Sequence, residues 1–317
     1  MRIVILDGHA MNPGDLSWIP LEEFGEVIVH DRTAPEEVVE RLEGAAVAIT
    51  NKVRLDRATL DQLGDLEYIG ITATGYEIVD LEAARAHGVI VTNVPGYSTP
   101  SVAQMTIALL LELTNHIGLH AAACRDGAWS RNPDFCFWER PLLELQGKIL
   151  GLIGYGAIAR AVAPIAHALG MHVAATSPSR TSGNDGTVRF AQLPVILREC
   201  DVISLHCPLT EDTQGLIDSQ ALGLMKPTAL LINTARGALL DENAVAEALR
   251  RGRLGGCGVD VLASEPPSPA NPLLFAPNCV VSPHVAWATT ASRQRLLDCV
   301  IANLKAHLAG TPQNVVS

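Results

Sequence analysis

Three polar side chains in the second half of the chain each follow an apolar run. They are Arg236, Glu265 and His284, and we call them the Arg–Glu–His trio. A guanidinium grips a carboxylate with two parallel hydrogen bonds, an imidazole exchanges protons near neutral pH, and a carboxylate orients the imidazole and stabilises its protonated form. Alone, each residue also fits an ordinary place: an exposed arginine, a loop glutamate or a buried histidine. Together they indicate acid–base chemistry on a substrate that carries a carboxylate.

The elements that position the trio are predicted strands. Residues 229–233 and 258–262 form apolar runs before the arginine and the glutamate, and residues 279–283 precede the histidine. In an open α/β sheet, ligands bind outside the carboxyl ends of the strands. We therefore expect the three side chains to point into one cleft.

A glycine-rich turn between two apolar runs predicts a dinucleotide site. Residues 149–153 predict a buried strand, the next six fit G-x-G-x-x-G/A, and a helical pattern follows. The first glycine permits a tight turn, the second lets the backbone approach a pyrophosphate, and the helix N-terminus points unpaired N–H groups at phosphate oxygens. The residues predicted to contact the cofactor here are Gly154, Gly156, Ala157 and Ile158. With the trio, this fold predicts hydride transfer on a 2-hydroxy or 2-oxo acid.

The turn after the next strand bears on the choice of cofactor. NAD-binding folds place an acidic residue there, on the ribose 2′-hydroxyl. This chain has Thr-Ser-Pro-Ser-Arg at residues 176–180. The hydroxyls of Ser177 and Ser179 and the guanidinium of Arg180 could bind a 2′-phosphate. The alternative is that these residues form a solvated turn whose arginine has no ligand. With no acidic residue in the turn, the sequence favours NADP over NAD.

Length and periodicity predict the domain organisation. The 317 residues suggest two domains. Short strands alternate with helices over residues 1–98, which predicts a small substrate domain that the last helix, in residues 288–317, rejoins; residues 99–287 form the dinucleotide-binding domain. The predicted fold class is α/β, with two Rossmann-like, doubly wound parallel-sheet domains and a cleft between them.

Composition excludes several classes of protein. The formal net charge of -11 argues against binding to nucleic acid or anionic membranes. No run reaches the ~18 apolar residues of a membrane span, and the first apolar run is too short for a signal peptide. Seven scattered cysteines without a C-x-x-C pair favour reduced thiols in a cytoplasmic protein. No metal site is predicted.

An aromatic segment over residues 115–145 belongs to neither predicted sheet and has no predicted strand or helix of its own. It contains four of the nine Phe and Trp side chains, Trp138 among them. Large exposed aromatic groups mark contact surfaces, so the segment predicts a subunit interface and a homodimer. The alternative is that the segment folds back on its own domain.

Several motifs resemble the D-isomer-specific 2-hydroxyacid dehydrogenases over almost the whole chain. They are GYGAI at residues 154–158, HCPLT at 206–210, NTARG at 233–237 and PHVA at 283–286. Further stretches resemble the glycerate dehydrogenase (hydroxypyruvate reductase) branch. These lie at residues 93–99, 133–138 and 284–289.

The resemblance implies roles for individual residues. Arg236 would hold the substrate's carboxylate and carbonyl, Glu265 would support His284, and His284 would move the proton. The other residues implied at the cofactor are Cys207, Pro208, Thr234, Ala235 and Asp260, with Asp260 on the nicotinamide carboxamide. Those implied at the substrate are Val53, Thr74 and Gly75, with Trp138 of the other subunit over the pocket. The backbone N–H groups of the loop with Thr74 and Gly75 are the ones implied to bind the substrate carboxylate.

The implied activity is the NAD(P)-dependent interconversion of a D-2-hydroxy acid and a 2-oxo acid. D-Glycerate with hydroxypyruvate is the first expectation, glyoxylate the second, and reduction the expected direction. Alternatives are another 2-oxo acid or phosphite on the same scaffold, or a nucleotide-sensing regulator resembling the C-terminal-binding-protein corepressors. The lack of long disordered tails argues against the regulator.

Overall fold

The computed structural model describes all 317 residues, Met1–Ser317. Its strands, in chain order, are β1 (Arg2–Ile5), β2 (Glu26–Val29), β3 (Val47–Thr50), β4 (Tyr68–Ile71), β5 (Ile90–Thr92), β6 (Ile149–Ile153), β7 (His172–Thr176), β8 (Gly183–Asp185), β9 (Val188–Phe190), β10 (Val202–Leu205), β11 (Leu230–Asn233), β12 (Gly256–Val259) and β13 (Cys279–Val281). Its α-helices are α1 (Gly8–Met11), α2 (Val38–Leu42), α3 (Arg57–Leu60), α4 (Leu81–Ala86), α5 (Thr99–Asn115), α6 (Ile117–Arg125), α7 (Ala157–Ala168), α8 (Leu193–Glu199), α9 (Ser219–Leu224), α10 (Glu242–Arg250) and α11 (Thr290–Leu308).

The chain divides into two compact units. The first comprises Met1–Ser98 and Trp287–Ser317, and the second comprises Thr99–Ala286. The return to the first unit comes one residue earlier than the boundary drawn from the sequence. Trp287 belongs to the first unit because its ring packs edge-to-face on that of Tyr97, with centroids 6.4 Å apart, beside that unit's core.

The first unit is built on a five-stranded sheet. Its order is β2-β1-β3-β4-β5 and every pair is parallel. This is the flavodoxin-like order, whose chain direction across the sheet reverses between β1 and β3. Every residue of β3 and β4 is buried, as expected for a parallel sheet covered on both faces.

The second unit is built on an eight-stranded sheet. Its order is β13-β12-β11-β10-β6-β7-β9-β8, parallel except for the β8–β9 hairpin. The strands β9-β7-β6-β10-β11-β12 reproduce the Rossmann order, with its reversal point between β6 and β10. The predicted class, α/β with two doubly wound parallel sheets, is confirmed.

No single helix is long and apolar enough to cross a membrane. Only α5 and α6 taken together reach that length and composition, and a bend of 58° separates them. Much of α5 is buried in the second unit's core.

Two local expectations were wrong. The aromatic segment does have a helix of its own, α6, which the sequence hides because none of its residues is fully buried. The strand expected at residues 258–262 is β12, which begins at Gly256 and ends at Val259. Its glycines obscure the strand pattern, yet Gly258 is needed there, since a Cβ would lie 3.1 Å from Leu109 Cβ of the packed helix α5.

Candidate active site

The turn after β6 requires its first glycine. Gly154 has φ 91°, and a Cβ there would lie 2.6 Å from the carbonyl carbon of His206. His206 directly follows β10, so this contact lies at the reversal point of the sheet. Both the left-handed backbone and the close approach of a neighbouring strand therefore exclude a side chain.

The second glycine faces open space. A Cβ on Gly156 would meet nothing within 4 Å, so packing within the chain gives no reason for a glycine. Gly156 is the N-cap of α7 and supplies no side-chain cap, and the first helical bond runs from Arg160 N to Gly156 O. The N–H groups of the first three residues of α7 therefore have no partner within the helix and point outward from its N-terminus. A smooth backbone below free N–H donors fits a pyrophosphate, with Ala157 and Ile158 in the first turn.

The turn after β7 is closed by two backbone bonds. Ser177 and Arg180 exchange N–H···O bonds of 3.2 and 3.0 Å, and the Oγ atoms of Ser177 and Ser179 lie 3.4 Å apart. The Nη1 of Arg180 is 3.5 Å from the Oδ2 of Asp185. The turn itself contains no carboxylate, but the hairpin of β8 and β9 places the one of Asp185 beside Arg180.

A buried asparagine holds the loop that carries Arg236. The Asn233 side chain donates to the Arg236 carbonyl at 2.8 Å and accepts from Ala235 N at 3.0 Å. A Cβ on Gly237 would lie 1.9 Å from the carbonyl carbon of Leu262, so this loop lies directly against the loop that carries Glu265. The Arg236 side chain is exposed and donates to the Ala235 carbonyl at 2.8 Å. The two hydrogen bonds of the Asn233 side chain could not be predicted from the sequence.

Other predicted cofactor residues lie at the ends of β10 and β11. Thr234 is buried and its hydroxyl pairs with that of Thr106 on α5 at 3.0 Å. The Pro208 carbonyl accepts from Thr213 Oγ1 at 2.7 Å. Burial raises the pKa of the half-buried Cys207 thiol and lowers the pKa of His206 to about 4, so both groups are neutral near pH 7.

The structure brings Glu265 and His284 into direct contact. Glu265 Oε2 lies 2.5 Å from His284 Nδ1, while Oε1 accepts from Leu262 N at 2.9 Å. The backbone therefore fixes the carboxylate, and the carboxylate fixes the ring. Each side chain keeps about a third of its surface exposed, 33% in both cases, which leaves the Nε2 edge of the imidazole open to a ligand.

Asp260 organises the turn that presents His284. Its buried carboxylate accepts from Ser282 Oγ at 2.6 Å, from Val285 N at 3.0 Å and from Ala286 N at 2.7 Å. Its carbonyl accepts from His284 N at 2.7 Å. These bonds hold His284 at φ 54°, a conformation that non-glycine residues adopt at a cost and that clusters at functional sites. This role of Asp260 was not expected from the sequence, where the family resemblance implied only a contact with the cofactor.

In the first unit, Asp7 fixes the loop that contains Val53. The Asp7 carboxylate, at the end of β1, accepts from the N–H groups of Asn51, Lys52 and Val53 at 2.8, 2.6 and 3.3 Å. The loop begins directly after β3, so the bonds join the two strands at the reversal point of this sheet. Sequence patterns gave no sign of this role for Asp7.

The loop of Thr74 and Gly75 is tied through its other polar groups. Thr74 Oγ1 donates to the Val94 carbonyl at 2.9 Å, and the Thr74 carbonyl accepts from Asn93 Nδ2 at 2.7 Å. The N–H groups of Thr74 and Gly75 have no partner within the chain. These two N–H groups are the ones expected, from the family resemblance, to bind the substrate carboxylate.

The aromatic segment is anchored to α6 but leaves large rings exposed. Glu139 N donates to His120 Nε2 at 3.1 Å. The imidazole of His120 packs edge-to-face on the Phe137 ring, with the ring centroids 6.3 Å apart. Phe135 and Trp138 are 89% and 66% exposed. The backbone thus folds back on its own unit, while these two rings do not pack there.

The second unit combines a Rossmann sheet, a glycine turn at its reversal point and a carboxylate–histidine pair beyond β12 and β13. This combination defines a nicotinamide-dependent dehydrogenase. The model for "D-isomer specific 2-hydroxyacid dehydrogenase, NAD binding domain" matches residues 107–286, and the chain belongs to the D-isomer-specific 2-hydroxyacid dehydrogenase family. The cofactor is accordingly a nicotinamide dinucleotide.

Relatives match the chain along its whole length. It is 43% identical to a hydroxypyruvate reductase of Blautia hydrogenotrophica, with 100% of both chains covered. It is 45% identical to a glycerate dehydrogenase of Methylorubrum extorquens, over 99% of this chain and 98% of that protein. A crystal structure of a Thermus thermophilus protein superimposes with a TM-score of 0.87 at 38% identity, covering 100% of both chains. These relatives confirm the resemblance, including its glycerate dehydrogenase branch.

Proposed function

We propose that this enzyme reduces hydroxypyruvate to D-glycerate, with glyoxylate as a secondary substrate. The observation that carries the proposal is the 2.5 Å contact between Glu265 and His284, which leaves Nε2 as the nitrogen for proton transfer. The two relatives named hydroxypyruvate reductase and glycerate dehydrogenase, at 43% and 45% identity, support the choice of substrate.

Each member of the trio has a distinct role in the proposed reaction. The hydride for the 2-oxo carbon would come from a bound reduced nicotinamide. The protonated His284 Nε2 donates its proton to the carbonyl oxygen, so that the carbonyl becomes a hydroxyl. Arg236 holds the substrate carboxylate and stabilises the negative charge that develops on the carbonyl oxygen. Glu265 stabilises the imidazolium before transfer and keeps the ring oriented afterwards.

The first unit supplies the remaining substrate contacts in this proposal. The unpaired N–H groups of Thr74 and Gly75 donate hydrogen bonds to the substrate carboxylate, and Val53 borders the hydroxymethyl group. Asp7 acts only through the loop that it holds. With these contacts, the unit of Met1–Ser98 and Trp287–Ser317 is the substrate domain, and the unit of Thr99–Ala286 is the dinucleotide-binding domain.

The preferred cofactor in this proposal is NADPH. The Ser177–Arg180 turn offers two hydroxyls and a guanidinium and has no carboxylate within it. Cys207, Pro208, Thr234, Ala235 and Asp260 line the nicotinamide half. Both oxygens of Asp260 already accept bonds from the His284 turn, so a carboxamide would share an oxygen with them.

The functional form is a homodimer in which Trp138 closes the substrate pocket of the partner subunit. The support is the exposure of 66% for Trp138 and 89% for Phe135, because apolar rings of this size are seldom left in water. A flat indole would tolerate the hydroxymethyl group of hydroxypyruvate and exclude longer side chains.

A substrate panel with both reduced cofactors tests the proposed function. Hydroxypyruvate should give the highest kcat/KM, glyoxylate a lower value, and pyruvate little. Oxidation of phosphite, tested with the oxidised cofactors, should be negligible. Cofactor binding with no turnover of any of these acids would instead favour the nucleotide-sensing regulator.

A further inference from the structure

Two arginines converge on one carboxylate beside the predicted cofactor turn. Asp185 Oδ2 lies 3.5 Å from Nη1 of Arg160 and 3.5 Å from Nη1 of Arg180. Arg160 lies in the first turn of α7, Arg180 closes the turn after β7, and Asp185 ends β8. Three separate segments thus contribute one charge each, and the sum is one positive charge in a chain whose formal net charge is -11.

Aromatic rings hold both guanidinium groups. Arg160 lies over the Tyr155 ring at 4.6 Å, and Arg180 lies over the Phe190 ring at 4.4 Å. The two rings meet edge-to-face with centroids 5.2 Å apart. Tyr155 stands between the two glycines of the dinucleotide turn, so this stack fixes the arginines beside that turn. A pre-positioned pair of guanidiniums loses little freedom when it binds an anion.

A hairpin supplies the carboxylate. β8 and β9 pair antiparallel, with Asn184 opposite Arg189, around Gly186 at φ 59°. Arg180 Nη2 also donates to the Asn184 carbonyl, which ties the turn after β7 to the hairpin. The backbone of Asp185 lies level with Val173, near the start of β7. Its side chain nevertheless meets that of Arg180, which closes the turn after β7.

We propose that Asp185 sets the choice between NADH and NADPH, and that Arg160 and Arg180 are the two arms of the 2′-phosphate site. When NADH binds, the Asp185 carboxylate accepts a hydrogen bond from the ribose 2′-hydroxyl. In NAD-binding folds this bond is made by an acidic residue at the end of the second strand. For NADPH, the phosphate takes the place of this carboxylate between the two guanidiniums. A phosphate with about -1.5 to -2 charge and three oxygens can satisfy both arms, whereas one carboxylate neutralises only one.

This inference rests on the proposed dinucleotide site and adds two residues to it. The Asp185 carboxylate and the 2′-phosphate of NADPH compete for the same two guanidiniums. The enzyme should therefore accept both NADH and NADPH, and neither one exclusively. Each of the three charged side chains is 41% to 60% exposed, so water screens their interactions and the effect of each should be several-fold.

The test is calorimetric titration of the full-length protein with adenosine 2′,5′-bisphosphate, together with NADPH and NADH binding followed by fluorescence. Asp185→Asn should tighten adenosine 2′,5′-bisphosphate and NADPH and weaken NADH, each by roughly fivefold. Arg160→Ala and Arg180→Ala should each weaken adenosine 2′,5′-bisphosphate and leave NADH within about twofold.

The matched controls come from a second exposed ion pair in the same unit. Arg189 Nη2 and Glu199 Oε2 lie 2.5 Å apart. Glu199→Gln and Arg189→Ala change the net charge equally but should leave the NADPH-to-NADH ratio unchanged. Asp185→Ser removes the same charge without introducing an amide, so it excludes an effect of the amide itself. Melting curves for all variants exclude misfolding as the cause of a change.

The outcomes separate this inference from the proposed function. An Asp185→Asn variant with an unchanged cofactor ratio, or an Arg160→Ala variant that keeps its affinity for adenosine 2′,5′-bisphosphate, overturns the inference while hydroxypyruvate reduction stands. Wild-type protein that binds neither dinucleotide overturns both. Binding with the predicted shifts but no turnover of hydroxypyruvate supports the inference and removes the proposed substrate.

Discussion

Glu265 Oε2 lies 2.5 Å from His284 Nδ1, while the other oxygen of Glu265 is held by a backbone N–H. The imidazole is thereby left with one nitrogen, Nε2, free for a substrate. General acid catalysis contributes about 10²–10⁴-fold, so His284→Ala should lose at least ~100-fold in kcat for reduction. NADPH binding, measured by fluorescence, should persist. Near-normal turnover would remove His284 from the mechanism.

Glu265→Gln tests the partner of His284. The amide keeps the shape of the carboxylate but removes its charge, so the protonated ring loses the group that stabilises it. We expect kcat for reduction to fall by at least ~10-fold, while the affinity for NADPH, measured by fluorescence, stays within about twofold of wild type. An unchanged kcat would remove Glu265 from the mechanism.

Asp260→Asn should disturb the turn that presents His284. The carboxylate accepts three hydrogen bonds, including two from backbone N–H groups at 3.0 and 2.7 Å. An amide turns an N–H₂ group toward some of these donors, and an unsatisfied buried group costs about 1–3 kcal/mol. Denaturant unfolding should show that loss, with kcat falling more than the affinity for NADPH. Unchanged kcat would mean that the turn holds without Asp260.

Arg236→Lys keeps the charge but loses the planar fork. The KM for hydroxypyruvate should rise and kcat should fall together, because the same side chain holds the carboxylate and stabilises the developing charge. Steady-state kinetics of this variant and of Arg253→Lys, a surface control, make the comparison. Equal kinetics for Arg236→Lys and wild type would exclude the role.

Acid stability reports on His206. Burial lowers the pKa of His206 from 6.5 to about 4. Between these two pH values the histidine is protonated in the unfolded chain but not in the folded one. The free energy of unfolding therefore falls as the pH drops from ~6.5 to ~4. At pH 5 this costs up to about 2 kcal/mol. His206→Asn should lose correspondingly less free energy of unfolding between pH 7.5 and pH 5. Equal losses would show that other groups carry the acid sensitivity.

Trp138→Ala should widen the substrate range. If Trp138 covers the partner's pocket, kcat/KM for a bulky acid such as phenylpyruvate rises relative to hydroxypyruvate, and the dimer weakens only modestly in sedimentation. Phe275→Ala removes another ring, one that is 73% exposed, and is the matched control. A monomeric wild-type protein, or an unchanged preference, would end this role for Trp138.

Much of the fold follows from local sequence. The strand, Gly154 turn and α7 were predictable because glycine geometry and helical periodicity act over neighbouring residues. The Arg–Glu–His trio was predictable because each residue follows an apolar strand. The helix α6 was not, because it buries no residue fully and shows no apolar stripe.

The supporting residues of the site lay beyond sequence reasoning. Asp7 binds a loop 44 residues away, and Asp260 binds Ala286 at a separation of 26. Asp185 reaches Arg160 only because a hairpin adds itself to the edge of the sheet. Such contacts depend on which strands become neighbours, and nothing in the local pattern of an aspartate distinguishes them from an exposed carboxylate.

Reduction of hydroxypyruvate by the wild-type enzyme decides whether the protein is a D-specific reductase. The rate of NADPH consumption and the configuration of the glycerate formed are measured on the same reaction. We expect rapid turnover that yields D-glycerate alone. No turnover with either reduced cofactor, or formation of L-glycerate or a racemate, would contradict it.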